Sequence, residues 1–204
     1  MYKETYKELS HGTDERSAEK IKKDGFEIRG CSDSWCGKGV YFYDIKKKAW
    51  WAAKRKCREI RQDTGEKIKP IVIFADIIDL EVDKIFDLRA YKDLRDFEKG
   101  IEELFGMHSF EISGIDNDIE KVIKLRAMLI SYYADRNNKK LIIGNFRQRP
   151  QPLYEHAIKF SDSLDMVFGI ETIYCVKDKD IIVNIHGSVK WVMKKWSLKN
   201  RLRL

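Results

Sequence analysis

The chain has 204 residues, with 40 Lys and Arg against 33 Asp and Glu, a net charge of +7, and 43% hydrophobic to 36% charged residues. This is a globular composition long enough for one large or two small domains, and its positive sign points to a polyanionic partner. No run approaches the roughly 20 apolar residues of a membrane-spanning helix, and the opening MYKETYKELSHG lacks the apolar stretch of a secretory signal, so a cytoplasmic chain is expected.

Residues 5–10 read as a short strand running into His11-Gly12-Thr13. Thr13 or Asp14 is placed to cap the helix that follows, in which Ala18, Ile21 and Lys22 keep helical spacing until Gly25 stops it. The stretch 28–38 (IRGCSDSWCGK), rich in Gly, Ser and Cys, predicts a loop. GKGVYF at 37–42 has the glycines and lysine of a phosphate loop, but no Ser or Thr follows the lysine and no helix follows the glycines. Val40-Tyr41-Phe42 reads instead as a strand. Residues 45–62 predict a basic helix with Trp50, Trp51, Ala52 and Ala53 in its first half.

PIVIFADII, 70–78, has the apolar run of a strand buried on both faces, and KIFDL, 84–88, adds a short strand. A helix is expected over 91–105 (Leu94, Phe97, Ile101, Leu104) and a clearer one over 117–136, where Arg126 interrupts a 3.6-residue apolar period. Leu141-Ile142-Ile143 reads as a buried strand. FRQRPQP, 146–152, reads as irregular because of its prolines, and 168–176 and 180–185 read as strands. Strands and helices mix without strict alternation, and no repeat or linker is visible. That predicts one α+β domain over 1–204 rather than a doubly wound sheet. The absence of G-x-G-x-x-G leaves a Rossmann site unsupported.

Cys31, Cys36, Cys57 and Cys175 form no C-x-x-C pair and have no His at zinc-finger spacing, so free thiols and no metal are expected. Positive charge concentrates at Lys46, Lys47, Lys48, Lys54, Arg55, Lys56 and Arg58, and again in the tail 190–204. Such clusters are either a solvated face or a phosphate-binding one.

His11, Tyr41 and Glu171 stand out as candidate site residues. Each alone has an ordinary reading: a turn histidine, a half-buried strand aromatic, a solvent-facing carboxylate on an edge strand. In order they carry more. HGT is followed by A-x-x-I-x-x-x-GF (Ala18, Ile21, Gly25, Phe26), by GKGVYF, and by D-x-x-x-x-A-x-W-A (Asp44, Ala49, Trp51, Ala52). This succession resembles the catalytic domain of the poly(ADP-ribose) polymerases and the diphtheria-toxin-type ADP-ribosyltransferases, with their His-Tyr-Glu signature. The match covers residues 8–53, about a quarter of the chain.

The resemblance implies an ADP-ribosyltransferase fold, a split antiparallel β-sandwich with flanking helices and a cleft for NAD as co-substrate, without metal. His11 would bond a ribose hydroxyl, the Gly12 backbone the nicotinamide amide, and Thr13 a ribose. Gly39 would let the backbone approach, and Tyr41 would stack on nicotinamide. The family's second aromatic aligns with Ala52; Trp51, one residue and about 100° away on a helix, is nominated in its place. The family's amide-binding serine is Ala49 here, and an arginine of some members is Glu27, with Arg29 the nearest substitute. Glu171, preferred to Glu155 because it lies mid-strand, would hold the ribose 2-hydroxyl and stabilise an oxocarbenium-like transition state.

Arg147, Gln148 and Arg149 fall where the family recognises its acceptor. With the basic clusters they point to nucleic acid, RNA or DNA, ahead of protein. A compact catalytic domain of this kind resembles bacterial or phage-encoded mono-transferases, many of them toxins or phage-defence components, and so implies an antitoxin partner. Two alternatives stay open. An NAD-using RNA 2′-phosphotransferase would want more His and Arg in the cleft. A non-catalytic nucleic-acid-binding module would be indifferent to Glu171→Gln.

Overall fold

A computed structural model describes residues 2–28, 35–105, 119–147 and 170–189. Its strands are β1 (Lys3–Asp14), β2 (Val40–Tyr43), β3 (Pro70–Glu81), β4 (Ile85–Asp87), β5 (Leu141–Arg147), β6 (Ile170–Val176) and β7 (Ile182–Val189). Its helices are α1 (Glu15–Asp24), α2 (Lys46–Thr64), α3 (Tyr91–Phe105) and α4 (Ile119–Arg136). Among the described residues no helix is long and apolar enough to cross a membrane.

β1 does not end at His11. It runs on to Asp14 because His11, Gly12, Thr13 and Asp14 pair in turn with Ile73, Val72, Ile71 and Pro70 of β3. Asp14 is the cap of α1, accepting from the Ser17 N–H at 2.9 Å, and Gly25 ends the helix at φ 79°, its N–H bonded to Ile21 O. β5 outlasts the expected strand, since Phe146 and Arg147 pair with Glu171 and Ile170 of β6.

The strands form an α+β architecture with a seven-stranded open sheet, order β4-β5-β6-β2-β1-β3-β7, antiparallel throughout except for the parallel β4–β5 pair. One pair, Ser10 with Tyr43, joins β1 to β2. The sheet therefore has two halves, β4-β5-β6-β2 and β1-β3-β7, and they fold toward each other. In a flat sheet β4 and β1 would stand about 19 Å apart, yet Ile85 of β4 belongs to one apolar cluster with Leu9 of β1, and Tyr6 of β1 meets Tyr174 of β6 with ring centroids 5.4 Å apart. Phe42, Ile73, Ile77, Leu141 and Ile143 form the centre of this inner core and are almost wholly buried. Each such side chain contributes about 1.5–3 kcal/mol by leaving water.

α2 covers the outer face of β1 and β3, which is why β3 reads apolar on both faces. A second cluster fills the other face of β2, β6, β5 and β4, where Phe86, Ile142, Ile173 and Cys175 meet Ile130 and Ala134 of α4 and Phe97 of α3. The residue that broke the α4 pattern belongs here. The Arg126 guanidinium lies 4.5 Å over the Trp35 ring and 5.5 Å over Phe146, and burial draws its pKa below the usual arginine value.

Candidate active site

Beyond Ser10 and Tyr43 the two halves part, and side chains take over from the ladder. Ser10 Oγ donates to Tyr43 O at 2.8 Å. His11 Nδ1 lies 2.8 Å from Tyr41 O. A carbonyl only accepts, so Nδ1 carries the proton and Nε2 is left as an acceptor. Burial, followed by the cationic Lys56, outweighs the Tyr41 carbonyl and pulls the His11 pKa down to about 4, so the ring is neutral at physiological pH. Its plane is fixed edge-on to Phe26 (centroids 5.2 Å apart) and tilted against Phe42 (5.7 Å).

The gap holds a cleft of about 200 Å³, lined by His11, Thr13, Phe26, Gly39, Tyr41 and Lys56 among others. Lys56 closes one end, donating to Thr13 Oγ1 (2.9 Å) and Ser17 Oγ (2.9 Å) and pairing with Asp14 Oδ2 (2.7 Å). Burial pushes the Asp14 pKa up, but Lys56 and Ser17 outweigh it and hold the carboxyl at about 2. A more open hollow of about 510 Å³ lies beside Glu27, against Ile28 and Lys177–Asp180, and has no aromatic or histidine in its lining. The smaller cleft is therefore the better-equipped site.

Tyr41, in the strand that follows the GKGVYF turn, borders the cleft, while its ring packs toward the second cluster. Its hydroxyl donates to Gly37 O and accepts from Cys36 N at 3.1 Å, which pins the ring. Gly37 sits at φ 79°, and an added Cβ would stand 2.6 Å from Ser131 Cβ of α4. Only glycine suits both the left-handed turn and the close approach.

β6 runs beside β2, with Tyr41 opposite Cys175 and Tyr43 opposite Ile173. Glu171 lies two residues beyond Ile173 on the same face, level with the point where β2 passes into α2. β6 is an interior strand rather than an edge, and Glu171 is 7% exposed. Its carboxylate pairs with Lys48 in the first turn of α2. That turn holds Lys46, Lys47 and Lys48, no acid and no side-chain cap. This is the unfavourable sign for a helix N-terminus, and Glu171 supplies the missing negative charge from across the sheet.

Gly12 faces α2 so closely that a Cβ would stand 1.7 Å from Ala49 O and 2.8 Å from Ala53 N. Gly39 similarly abuts β6, where a Cβ would stand 2.4 Å from Cys175 Sγ. His11, Thr13, Gly39 and Tyr41 thus meet at one cleft, with Gly12 between two of them. Trp51 is not in the lining. It is 49% exposed, with the Arg55 guanidinium 6.0 Å over its ring. Arg147 ends β5 opposite Ile170, beside Glu171. Gln148, Arg149, Arg29 and Glu155 lie outside the described residues.

Three residues were not singled out as site residues from the sequence. In the sequence Lys48 and Lys56 read only as part of a basic cluster. The signal is their position, each immediately before a member of the buried stripe Ala49, Ala53, Cys57, where a lysine lies at the border of the buried face and its stem can reach a carboxylate. Tyr43 repeats Tyr41 at strand spacing on the Glu171 face, and burial raises its hydroxyl pKa. Among the described residues no three His, Cys, Asp or Glu side chains gather as a metal would need.

Compared with known protein families, curated proteins and solved structures, the chain matches none.

Proposed function

We infer that the chain is an NAD-dependent mono-ADP-ribosyltransferase of the His-Tyr-Glu type, acting from a split β-sandwich of that family's fold. The observation that carries this reading is the joint position of three groups. A neutral His11 and a pinned Tyr41 border one cleft, and a buried, lysine-paired Glu171 stands on the next strand.

His11 Nε2, the bare acceptor, takes the O–H of a ribose hydroxyl. Tyr41 offers an aromatic face to the flat, cationic nicotinamide. The β1 edge at Gly12 lies past the last β1–β2 pair, and its backbone bonds the carboxamide. Glu171 accepts from the ribose 2-hydroxyl and faces the positive charge that develops at the anomeric carbon. As the bond from that carbon to the pyridinium nitrogen breaks, its electron pair leaves with nicotinamide. An acceptor oxygen or nitrogen then attacks the carbon and gives up its proton. Lys48 holds Glu171 in place through their ion pair. It is a positioning residue, since it acts through the carboxylate.

The acceptor is nucleic acid, RNA or DNA, in keeping with the +7 charge and the cations of α2. The role that fits is a bacterial or phage-defence toxin held in check by an antitoxin.

The test is release of nicotinamide from labelled NAD in cell lysate, followed by separate nuclease and protease digestion. Wild type is expected to label material that nuclease alone removes. Glu171→Gln is expected to lose about 10² to 10³ in rate while keeping its circular dichroism spectrum. If wild-type protein releases no nicotinamide with any acceptor, the reading falls.

A further inference from the structure

The α2 helix carries more positive charge than its two site lysines use, and the surplus is ordered. Ala49, Ala53 and Cys57 face the sheet. At 100° per residue, Lys47, Trp51, Lys54, Arg58 and Arg61 fall within about 80° of one another, in a stripe centred about 120° around the helix from those three. All five are exposed, over a length of about 21 Å. The acids in the helix are Glu59, which pairs with Arg55 at 2.8 Å, and Asp63. Among the described residues no carboxylate pairs with the four cations of the stripe.

Among these cations, about one turn on from Lys47, stands the Trp51 ring, 49% exposed. A single exposed aromatic is ordinary by itself, but set among four cations it offers a π-face on which a base can stack. The Arg55 guanidinium over the ring keeps it oriented.

We propose that this outer face of α2 binds a single-stranded nucleic acid, with Trp51 stacking on an unpaired base and Lys47, Lys54, Arg58 and Arg61 contacting successive phosphates. Cations spaced along a groove or ridge with an interleaved aromatic are the general means of holding a single strand, because every base has a π-face and every nucleotide a phosphate. A duplex would hide its base faces and leave Trp51 without a partner. A membrane surface would ask for an apolar face, and Trp51 is the one large apolar residue in the stripe. The face adjoins the candidate site, since Lys47 precedes the lysine that pairs with Glu171. As the docking face for an acceptor it rests on the transferase reading. As a strand-binding face it stands without it.

The test uses the full chain and fluorescein-labelled oligonucleotides of about 12 nucleotides, RNA and DNA, each single-stranded and as a duplex. Binding is read by fluorescence anisotropy across a salt titration. The single strand is expected to bind at least tenfold tighter than its duplex, with the tighter of RNA and DNA naming the natural strand. Trp51→Ala should weaken binding about 5- to 150-fold, the range of a lost base stack, and Trp51→Phe should stay within about threefold. The triple variant Lys47→Ala, Lys54→Ala, Arg58→Ala should flatten the slope of log affinity against log salt by about 2.

Equal binding of duplex and single strand, an unchanged Trp51→Ala affinity, or an unchanged slope overturns the proposal. So does displacement by polyglutamate at the same charge concentration, which would make this an acidic-protein face. Glu171→Gln separates the two readings. If it binds the strand as wild type does, the strand site stands even where no NAD cleavage is found. If wild type releases nicotinamide but binds no strand, this inference alone falls.

Discussion

His11 shows how much one side chain's surroundings decide. As a sequence letter it is a histidine in a turn. In the folded chain its Nδ1–H is committed to Tyr41 O and its pKa is drawn from 6.5 to about 4. The consequence for stability has a definite sign. A cation disfavoured by the fold contributes stability fully above the unfolded pKa of about 6.5, and that stability is lost as pH falls toward 4. Asp14 acts in a lower window, because its carboxyl is held at about 2 against 3.8 unfolded. Its contribution is present above 3.8 and is lost as pH falls through 2. Urea unfolding at stepped pH should therefore show a loss of about 2 kcal/mol between pH 6.5 and 4. Most of that loss should vanish in His11→Gln; if it persists unchanged, the depressed histidine is not its source. That Glu171 lies on a strand was readable from its apolar neighbours. Its partner was not, because Lys48 is 123 residues upstream in the numbering and meets Glu171 only when β6 lies beside β2.

At the scale of elements, apolar periodicity carried most of the secondary structure. The helix expected over 91–105 is α3, and the break at Arg126 marks a real difference in surroundings, a cation laid over Trp35 and Phe146. The errors lie where pairing overrides local pattern. HGT looks like a turn, yet β3 supplies a partner for every residue of it and β1 continues to Asp14. α2 has the opposite lesson. Its lysines and tryptophans look alike in sequence, but its rotation sends Lys48 and Lys56 inward to carboxylates and leaves Trp51 outside. That rotation depends on Gly12. With a Cβ there, 1.7 Å from Ala49 O, the helix backbone must move. Gly12→Ala is expected to destabilise the protein by about 1–3 kcal/mol, measured as a lower urea midpoint at unchanged slope. An unaltered midpoint would show that α2 does not pack on this strand as described.

For the molecule as a whole, the candidate site lies where the sheet is weakest. One pair joins the halves, and the cleft opens directly beyond it. A ligand there touches both halves, so on the transferase reading NAD should stabilise the fold by mass action. At about 100 times its Kd the gain is about 2.7 kcal/mol, or a rise in Tm of about 5–10 °C for a chain of this size. A Tm that ignores saturating NAD would count against the cleft as its site. The ordered motifs HGT and GKGVYF, the apolar periods and the excess of positive charge were determined by the sequence itself, because each is local or additive: turn chemistry, side-chain period and a sum of charges. Only the tertiary structure decided that His11 is neutral, that Glu171 is buried and paired rather than solvated, and that the cations of α2 divide between a site and an outer face. Each of these depends on which strand lies beside which and on how a helix is rotated against a glycine, and those are set by packing between residues far apart in the chain.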